Sequence, residues 1–359
     1  MLKTIAFLIF AKKYTLRFRF IFLIYFGLML QSWGQTSYKM IAIGFYNLEN
    51  LFDTVNDTLI NDEDFLPTGK NSWTDEKYAE KQANMAYAIS QIAKEHTPAG
   101  LSVFGVAEIE NKKVLEDLSK QSALADRDYQ IVHFDSPDRR GVDVGLMYNP
   151  SHFKPLNARA VPLLVYENGE REYTRDILFC TGLLDGDTFT FLVNHWPSRR
   201  GGEEASAYKR NKGAQICRQI VDSLYKVNPH HKVVIMGDLN DDPTSESIKL
   251  HLRAKYKASD VHEGDVFNPM WDYYNRGLGS NAFRDSWSLF DQLIFNYPLM
   301  DKNEKGYRYH KAFVFNKQFL IQNFGQYKGY PFRTFSGETY QGGYSDHFPV
   351  YALLVKPSN

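Results

Sequence analysis

Val233-Val234-Ile235-Met236 runs directly into Gly237-Asp238-Leu239-Asn240, and Asp241, Asp242 and Pro243 follow. Four apolar residues, three of them Val or Ile, predict a buried strand, and the polar residues after them end it. Side chains two positions apart on a strand point the same way, so Asp238 and Asn240 face one place. A carboxylate there can accept a proton or bind a cation. A carboxamide can donate a hydrogen bond to an anion without repelling it. Near the other end, Ser345-Asp346-His347-Phe348-Pro349 sets a second polar cluster before an apolar finish, Val350 to Leu354. Asp, Asn and His at strand ends are what metal-assisted attack on a phosphate ester needs.

The same placement recurs along the chain. Asn47 follows Ile43-Gly44-Phe45-Tyr46, Glu108 follows Val103 to Ala107, His195 follows Phe191-Leu192-Val193-Asn194, and Asp291 precedes Leu293-Ile294-Phe295. Singly, Asn47 reads as a turn residue, Glu108 as a solvated strand end and His195 as a satisfied, half-buried imidazole. Together the bland reading needs repeated coincidence. Glu49 and Glu110 lie two positions after Asn47 and Glu108, and a supporting role is expected of both. Asp143 reads as a strand-end hydrogen-bond acceptor. Arg139, Arg140, Arg199 and Arg200 form two Arg-Arg pairs beside these segments. Such pairs usually mark a solvated surface, but beside a phosphate-ester site substrate clamping is the expectation. Arg175 is a weaker candidate of the same kind. The aromatic- and glycine-rich stretch Tyr327 to Tyr344 is read as a substrate wall or a packed surface loop.

The elements that must position these residues alternate between strand-like and helix-like. Lys39 to Phe45, Leu101 to Val106, Val233 to Met236, Gln292 to Phe295 and Phe348 to Val355 read as strands. Tyr129 to Phe134 with Asp143 to Tyr148, and Ile177 to Leu183 with Phe189 to Val193, read as pairs. Thr74 to Glu95 reads as a helix with Thr74 as its N-cap, followed by Lys113 to Gln121 and Glu203 to Tyr225. Hairpins mixed with helices predict two mixed sheets packed together and covered by helices, an α+β sandwich of four layers rather than a doubly wound sheet.

The first residues read differently. Lys3, Lys12, Lys13, Arg17 and Arg19 precede the apolar run Phe20 to Leu30, which gives way to Gln31-Ser32-Trp33-Gly34-Gln35. This pattern predicts a secretory signal peptide over 1–34, with one domain over 35–359 and no membrane span once the segment is removed. The whole chain has a net charge of zero, and losing those five basic residues leaves the mature protein at −5. That excludes an overall basic field for a long polyanion, so phosphate recognition must be local. Two cysteines, Cys180 and Cys217, make no disulfide framework and are expected to be buried free thiols.

The ordered motifs Tyr46-Asn47-Leu48-Glu49-Asn50, Ala107-Glu108, Asn194-His195-Trp196, Gly237-Asp238-Leu239-Asn240, Asp291-Gln292-Leu293-Ile294 and Ser345-Asp346-His347 resemble the endonuclease/exonuclease/phosphatase superfamily. Ser136 to Asp143, His195 to Gly202 and Gly342 to His347 are similar to a secreted branch found in Bacteroidetes-type bacteria. The resemblance implies that Glu108, with Asn47 and Asp346, holds Mg²⁺, with Mn²⁺ or Ca²⁺ as alternatives. It implies that Asp238 orients or deprotonates water and that Asn240 holds a phosphate oxygen. It gives His347 the phosphate or the nucleophile, with Asp291 fixing its tautomer, and has His195 protonate the leaving oxygen. The implied protein is a monomeric, secreted or periplasmic phosphodiesterase acting on DNA or RNA. A phosphatase, a phospholipid or sugar-phosphate diesterase, and an inactive binding protein are the alternatives.

Overall fold

A computed structural model describes residues 37–358, so the expected signal segment 1–34 lies outside the described residues. The compact unit is Met40–Lys356. In the other unit, the described Ser37 and Ser358 are joined by a backbone hydrogen bond of 2.7 Å.

Two large sheets carry the fold. The first, of six strands, orders as β16 (Arg308–Val314), β19 (Val350–Pro357), β1 (Tyr38–Leu51), β2 (Leu101–Ile109), β4 (Asp143–Tyr148) and β3 (Gln130–His133). The second, of seven, orders as β11 (Ala254–Lys255), β12 (Val266–Phe267), β15 (Asp291–Asn296), β10 (Lys232–Asp238), β9 (Asp187–His195), β8 (Ile177–Leu184) and β5 (Phe153–Val161). Both are mixed: β1 runs parallel to β2 and β9 to β10, whereas β2–β4, β8–β9 and β10–β15 are antiparallel. Three small hairpins decorate them: β6–β7 (Val165–Glu167, Glu170–Glu172), β13–β14 (Asn281–Phe283, Ser286–Ser288) and β17–β18 (Phe335–Ser336, Thr339–Tyr340).

Alternation along the strands explains the layers. Ile41, Ile43 and Phe45 of β1 and Val103 of β2 meet Phe191, Val193, Val234, Met236 and Leu293 of the second sheet in one buried cluster. At Gly105 the sheets approach closely, since a Cβ there would sit 2.8 Å from Val193 Cγ1 and 2.9 Å from Met236 Sδ. On the outer face of the first sheet, Phe104, Val106 and Tyr351 pack under α1 (Asp75–Gln91) and α2 (Lys112–Ser119). Met85 and Ile89 come from α1, whose first turn is capped by Thr74 accepting from Lys77 N. On the second sheet, Leu192, Val233, Ile235 and Ile294 pack under α3 (Glu203–Val227) through Ala214, Cys217 and Val221. A short α4 (Met270–Asn275) completes the helices named here. Fully burying each such Val or Ile contributes roughly 1.5–3 kcal/mol. The expected two-sheet sandwich flanked by helices is the observed one.

The short hairpin strands, β11, β12, β5 and β16 were not expected. β5 carries Pro155 and is largely half-buried or exposed, as an edge strand is, and β16 opens on the polar Arg308-Tyr309-His310-Lys311. Cys180 and Cys217 are free and buried, and burial pushes each thiol up to about 12.

Candidate active site

The strand ends present their polar residues through local breaks in the ladders. The β1–β2 register shifts between Asn47 and Leu51, and the β2–β4 register shifts between Ala107 and Ile109. Glu108 sits in that second break with φ 57°, and Glu49 and Asn50 sit in the first with φ 49° and 52°. A bulge of this kind re-aims a side chain that a regular strand would send into the sheet. Asn50 N donates to Glu108 Oε2 at 3.1 Å, joining the two breaks. On the second sheet the registers of β10 with β9 and β15 stay regular, and Asp238 lies opposite His195 on one side and Asp291 on the other. Three neighbouring strands therefore end at one level with His, Asp and Asp. Gly237 permits this, since a Cβ there would meet Asn194 O at 2.2 Å.

The side chains from both sheets then converge. Asn47 Nδ2 donates to Asp238 Oδ2 at 3.1 Å, and Asn240 N donates to Asp238 Oδ1 at 2.9 Å. His195 Nε2 lies 3.7 Å from Asp238 Oδ2 and 3.8 Å from Glu108 Oε1. His347 Nδ1 lies 2.6 Å from Asp291 Oδ2, and its Nε2 lies 3.9 Å from Asp238 Oδ2. Ser345 Oγ donates to Asn47 O at 2.7 Å and accepts from His347 N at 3.1 Å, fastening the last strand's approach to the first.

Burial and neighbouring charge divide the two histidines. Burial works against a charged His347, but the charge and hydrogen bond of Asp291, then the charges of Asp238 and Asp346, override it and hold His347 well above the usual range. Burial, then the guanidinium groups of Arg175 and Arg140 and the charge of His347, hold His195 well below it. These surroundings favour the imidazolium form of His347 and the neutral ring of His195. Burial raises Asp238 to about 7 against the opposing pull of His347.

One ligand atom each from Glu108, His195 and Asp238 lie within 4.8 Å of one another. Two carboxylates and a neutral imidazole, pointed at one place, fit a divalent ion. A second group with the same spacing, His133, Asp135 and Asp143, has a structural explanation. Asp143 accepts from Ser136 N at 2.9 Å and lies 2.9 Å from His133 Nε2, closing the β3–β4 loop.

This cluster forms the floor of a cleft of about 580 Å³ whose lining includes Arg139, Arg140, Arg175, Arg200, Asn240 and His347. A profile of the Endonuclease/Exonuclease/phosphatase family matches residues 42–356.

The chain belongs to this family. Solved structures of similar fold include a Bacteroides thetaiotaomicron member of the endonuclease/exonuclease/phosphatase family, at 15% identity over 90% of this chain and 100% of that one, TM-score 0.52. Another is a mannosyl-6-phosphatase from Bacteroides thetaiotaomicron VPI-5482, at 16% identity over 88% and 99%, TM-score 0.52. A third is D. rerio TDP2 complexed with single strand DNA product, at 14% identity over 88% and 99%, TM-score 0.51. No curated protein matches the chain by sequence.

Within this member of the endonuclease/exonuclease/phosphatase family, seven of the eight anticipated floor residues lie in the contact chain described above. Three positions depart from expectation. Asn47 Oδ1 already accepts from Glu49 N at 2.9 Å while its Nδ2 serves Asp238, so the amide is oriented to support Asp238. Asp346 stays beside His347, with Oδ1 4.0 Å from Nε2, but its Oδ2 is held by Arg333 at 3.0 Å, and it lies outside the three-residue cluster. Arg199 is no clamp. Its guanidinium turns away to Asn240 O, Asp241, Asp242 and Glu203, all at 3.0–3.3 Å, because an acidic run directly after the strand offers it stronger partners than solvent does. Glu49 and Glu110 accept from Thr334 N at 2.6 Å and Asp53 N at 2.7 Å, the supporting parts expected of them. The Tyr327–Tyr344 stretch contributes nothing to the cleft lining, and Phe335 and Tyr340 pack on Trp73 instead. Sequence reasoning missed Glu167, Glu172, Tyr173 and Lys209, which line the far wall. Their signal was slight: Lys209 pairs with both glutamates across the β6–β7 hairpin, and no strand-end pattern marks any of them.

Proposed function

We propose that the protein is an exported, divalent-metal-dependent phosphodiesterase whose substrate is a nucleic acid. The observation that carries this is the Glu108–His195–Asp238 cluster beside the Asp291–His347 pair, under a rim of Arg139, Arg140 and Arg200. Glu108 and His195 would hold the ion, which supplies charge neutralisation at the phosphate. Asp238, with Oδ2 facing the same point and a carboxyl raised to about 7, orients the attacking water and takes its proton. His347 offers an N–H and a positive charge to a phosphate oxygen, and as the protonated ring it is also the proton source for the departing oxygen. Asn240, neutral, sits at the edge of the same floor without repelling the anion. The basic-then-apolar start of the sequence supports export.

A compact sugar phosphate is the second reading. Glu167 and Glu172 on the far wall favour it, because carboxylates there repel a long polyanion. Hydrolysis of plasmid DNA, RNA, sphingomyelin, an inositol phosphate and a hexose 6-phosphate, each with Mg²⁺, Mn²⁺, Ca²⁺ or EDTA, tests both. Cleavage of DNA or RNA that EDTA abolishes is the expected result. Preference for the hexose phosphate moves the assignment to the second reading, and full activity in EDTA overturns both.

A further inference from the structure

Arg175 has no part in the chemistry proposed above, yet its guanidinium is buried at 7% exposure in the lining of the cleft. Nε donates to His195 O at 3.2 Å, one terminal nitrogen to Trp196 O at 2.8 Å, and the other to Asp138 Oδ2 at 3.0 Å. Trp196 O also accepts from Asn240 Nδ2 at 2.9 Å. One guanidinium thus fixes the main chain that carries His195 and the carbonyl that orients Asn240. His347 is aligned through its ring by Asp291, but His195 Nδ1 is buried with no hydrogen-bond partner among the described residues. Its ring therefore depends on a backbone anchor, and Arg175 provides two bonds of that anchor.

The third bond crosses to the other sheet. Asp138 belongs to the β3–β4 loop, is buried at 6% exposure, and accepts from Arg140 N at 2.9 Å. Its backbone carbonyl accepts from Gly141 N at 3.0 Å. The loop that carries Arg139 and Arg140 is therefore held to the end of β9 through one buried ion pair. Among the described residues Arg140 has only a weak side-chain tie, 3.9 Å from Asp138, and Arg139 lies over the Tyr173 ring at 5.7 Å.

We infer that Arg175 and Asp138 are positioning residues that set the spacing between the floor of the cleft and its arginine rim, so that one anion is gripped by both. The inference rests on the phosphate-ester reading of the cleft. The pair touches no reacting atom, and its action is exerted through the main chain of His195 and Trp196 on one side and of Arg140 on the other.

The test is a double-mutant cycle of Asp138→Asn with Arg140→Ala, read by steady-state kinetics on a dinucleoside phosphodiester and by calorimetric titration of inorganic phosphate. Asp138→Asn keeps the shape and the acceptor for Arg140 N but removes the charge facing Arg175. It should raise KM and weaken phosphate binding about tenfold, with a smaller change in kcat. Arg140→Ala should weaken phosphate binding in the wild type and much less in the Asp138→Asn background, because the rim is already displaced. Arg175→Lys keeps the charge and cannot reach all three acceptors, so it should lower kcat as well as raise KM. It serves as the second variant if Asp138→Asn does not fold. Additive effects of Asp138→Asn and Arg140→Ala, or an Arg175→Lys protein with unchanged kcat and KM, overturn the inference. Phosphate binding that follows this pattern in a protein that hydrolyses no phosphate ester leaves the clamp standing and removes the enzymatic reading instead. Absence of phosphate binding by the wild type overturns the clamp itself.

Discussion

Replacing Asp291 by Asn isolates the charge that holds His347 protonated. The Asp291 side chain is wholly buried and its Oδ2 lies 2.6 Å from His347 Nδ1. A hydrogen bond to a charged group contributes about 1.5–3 kcal/mol and a neutral one about 0.5–1.5, and the amide can still accept a neutral one. The net loss is then about 1–2 kcal/mol, or a factor of roughly 5–30 in the folded ratio. In a domain of this size each kcal/mol moves Tm by about 1–2 °C. The pH dependence has a definite sign. His347 is raised above its unfolded value, so its stabilising contribution is complete below about pH 6.5 and is lost as pH rises through the folded value. The Tm gap between wild type and Asp291→Asn, measured by calorimetry in EDTA, should therefore be widest near about pH 6 and shrink at alkaline pH. With metal and substrate, the alkaline limb of the kcat/KM profile should move to lower pH in the variant. A Tm gap that is constant or grows with pH, together with an unmoved alkaline limb, would refute the assignment of His347 as an imidazolium held by Asp291.

Glu108→Gln should raise the half-saturating concentration of the activating cation by at least about tenfold, since ligand charge sets affinity for hard ions, and a metal titration checks it. His195→Ala should weaken the cation similarly and lose the same factor on a p-nitrophenyl ester as on an alkyl ester. Selective loss on the alkyl ester would return the proton-donor role to His195. Arg200 makes no side-chain hydrogen bond or ion pair among the described residues, so Arg200→Ala should shift stability by no more than about 0.5 kcal/mol while raising KM in a salt-sensitive way. Arg199→Ala should do the reverse, lowering Tm because Asp241 and Asp242 each lose one of their partners, Asp241 keeping Arg210.

The strands and helices that shape the floor were legible because their apolar runs end abruptly in polar residues. Val233 to Met236 before Gly237 gave β10, and Thr74 before a periodic helix gave α1. The floor itself followed from strand ends in chain order, and Asp238, His195 and Asp291 do meet across adjacent strands. Orientation was not legible. Arg199 and Arg200 are neighbours in sequence, yet the first turns to an acidic run behind the floor and the second to the cleft. Nor could the sequence show that Asp346 would be shared with Arg333, thirteen residues earlier, or that His195 would sit beside Arg175 and Arg140 and stay neutral. Those outcomes depend on which charges long-range packing brings together. β5 escaped because an edge strand covering little core needs no apolar alternation.

The left-handed backbone at Glu108 has a consequence for how this protein could change under selection. At φ 57° a residue other than glycine is disfavoured by roughly 1–2 kcal/mol, and its carboxylate also crowds Asp238 at the same nitrogen of His195. Glycine at that position would relieve both the conformation and the crowding of negative charge. A library of variants screened for heat resistance alone should therefore enrich glycine at 108, and the survivors would be sturdier proteins lacking one corner of the Glu108–His195–Asp238 cluster. Thermal selection on this scaffold needs a simultaneous demand for turnover, or it will erase the residue on which the cleft depends.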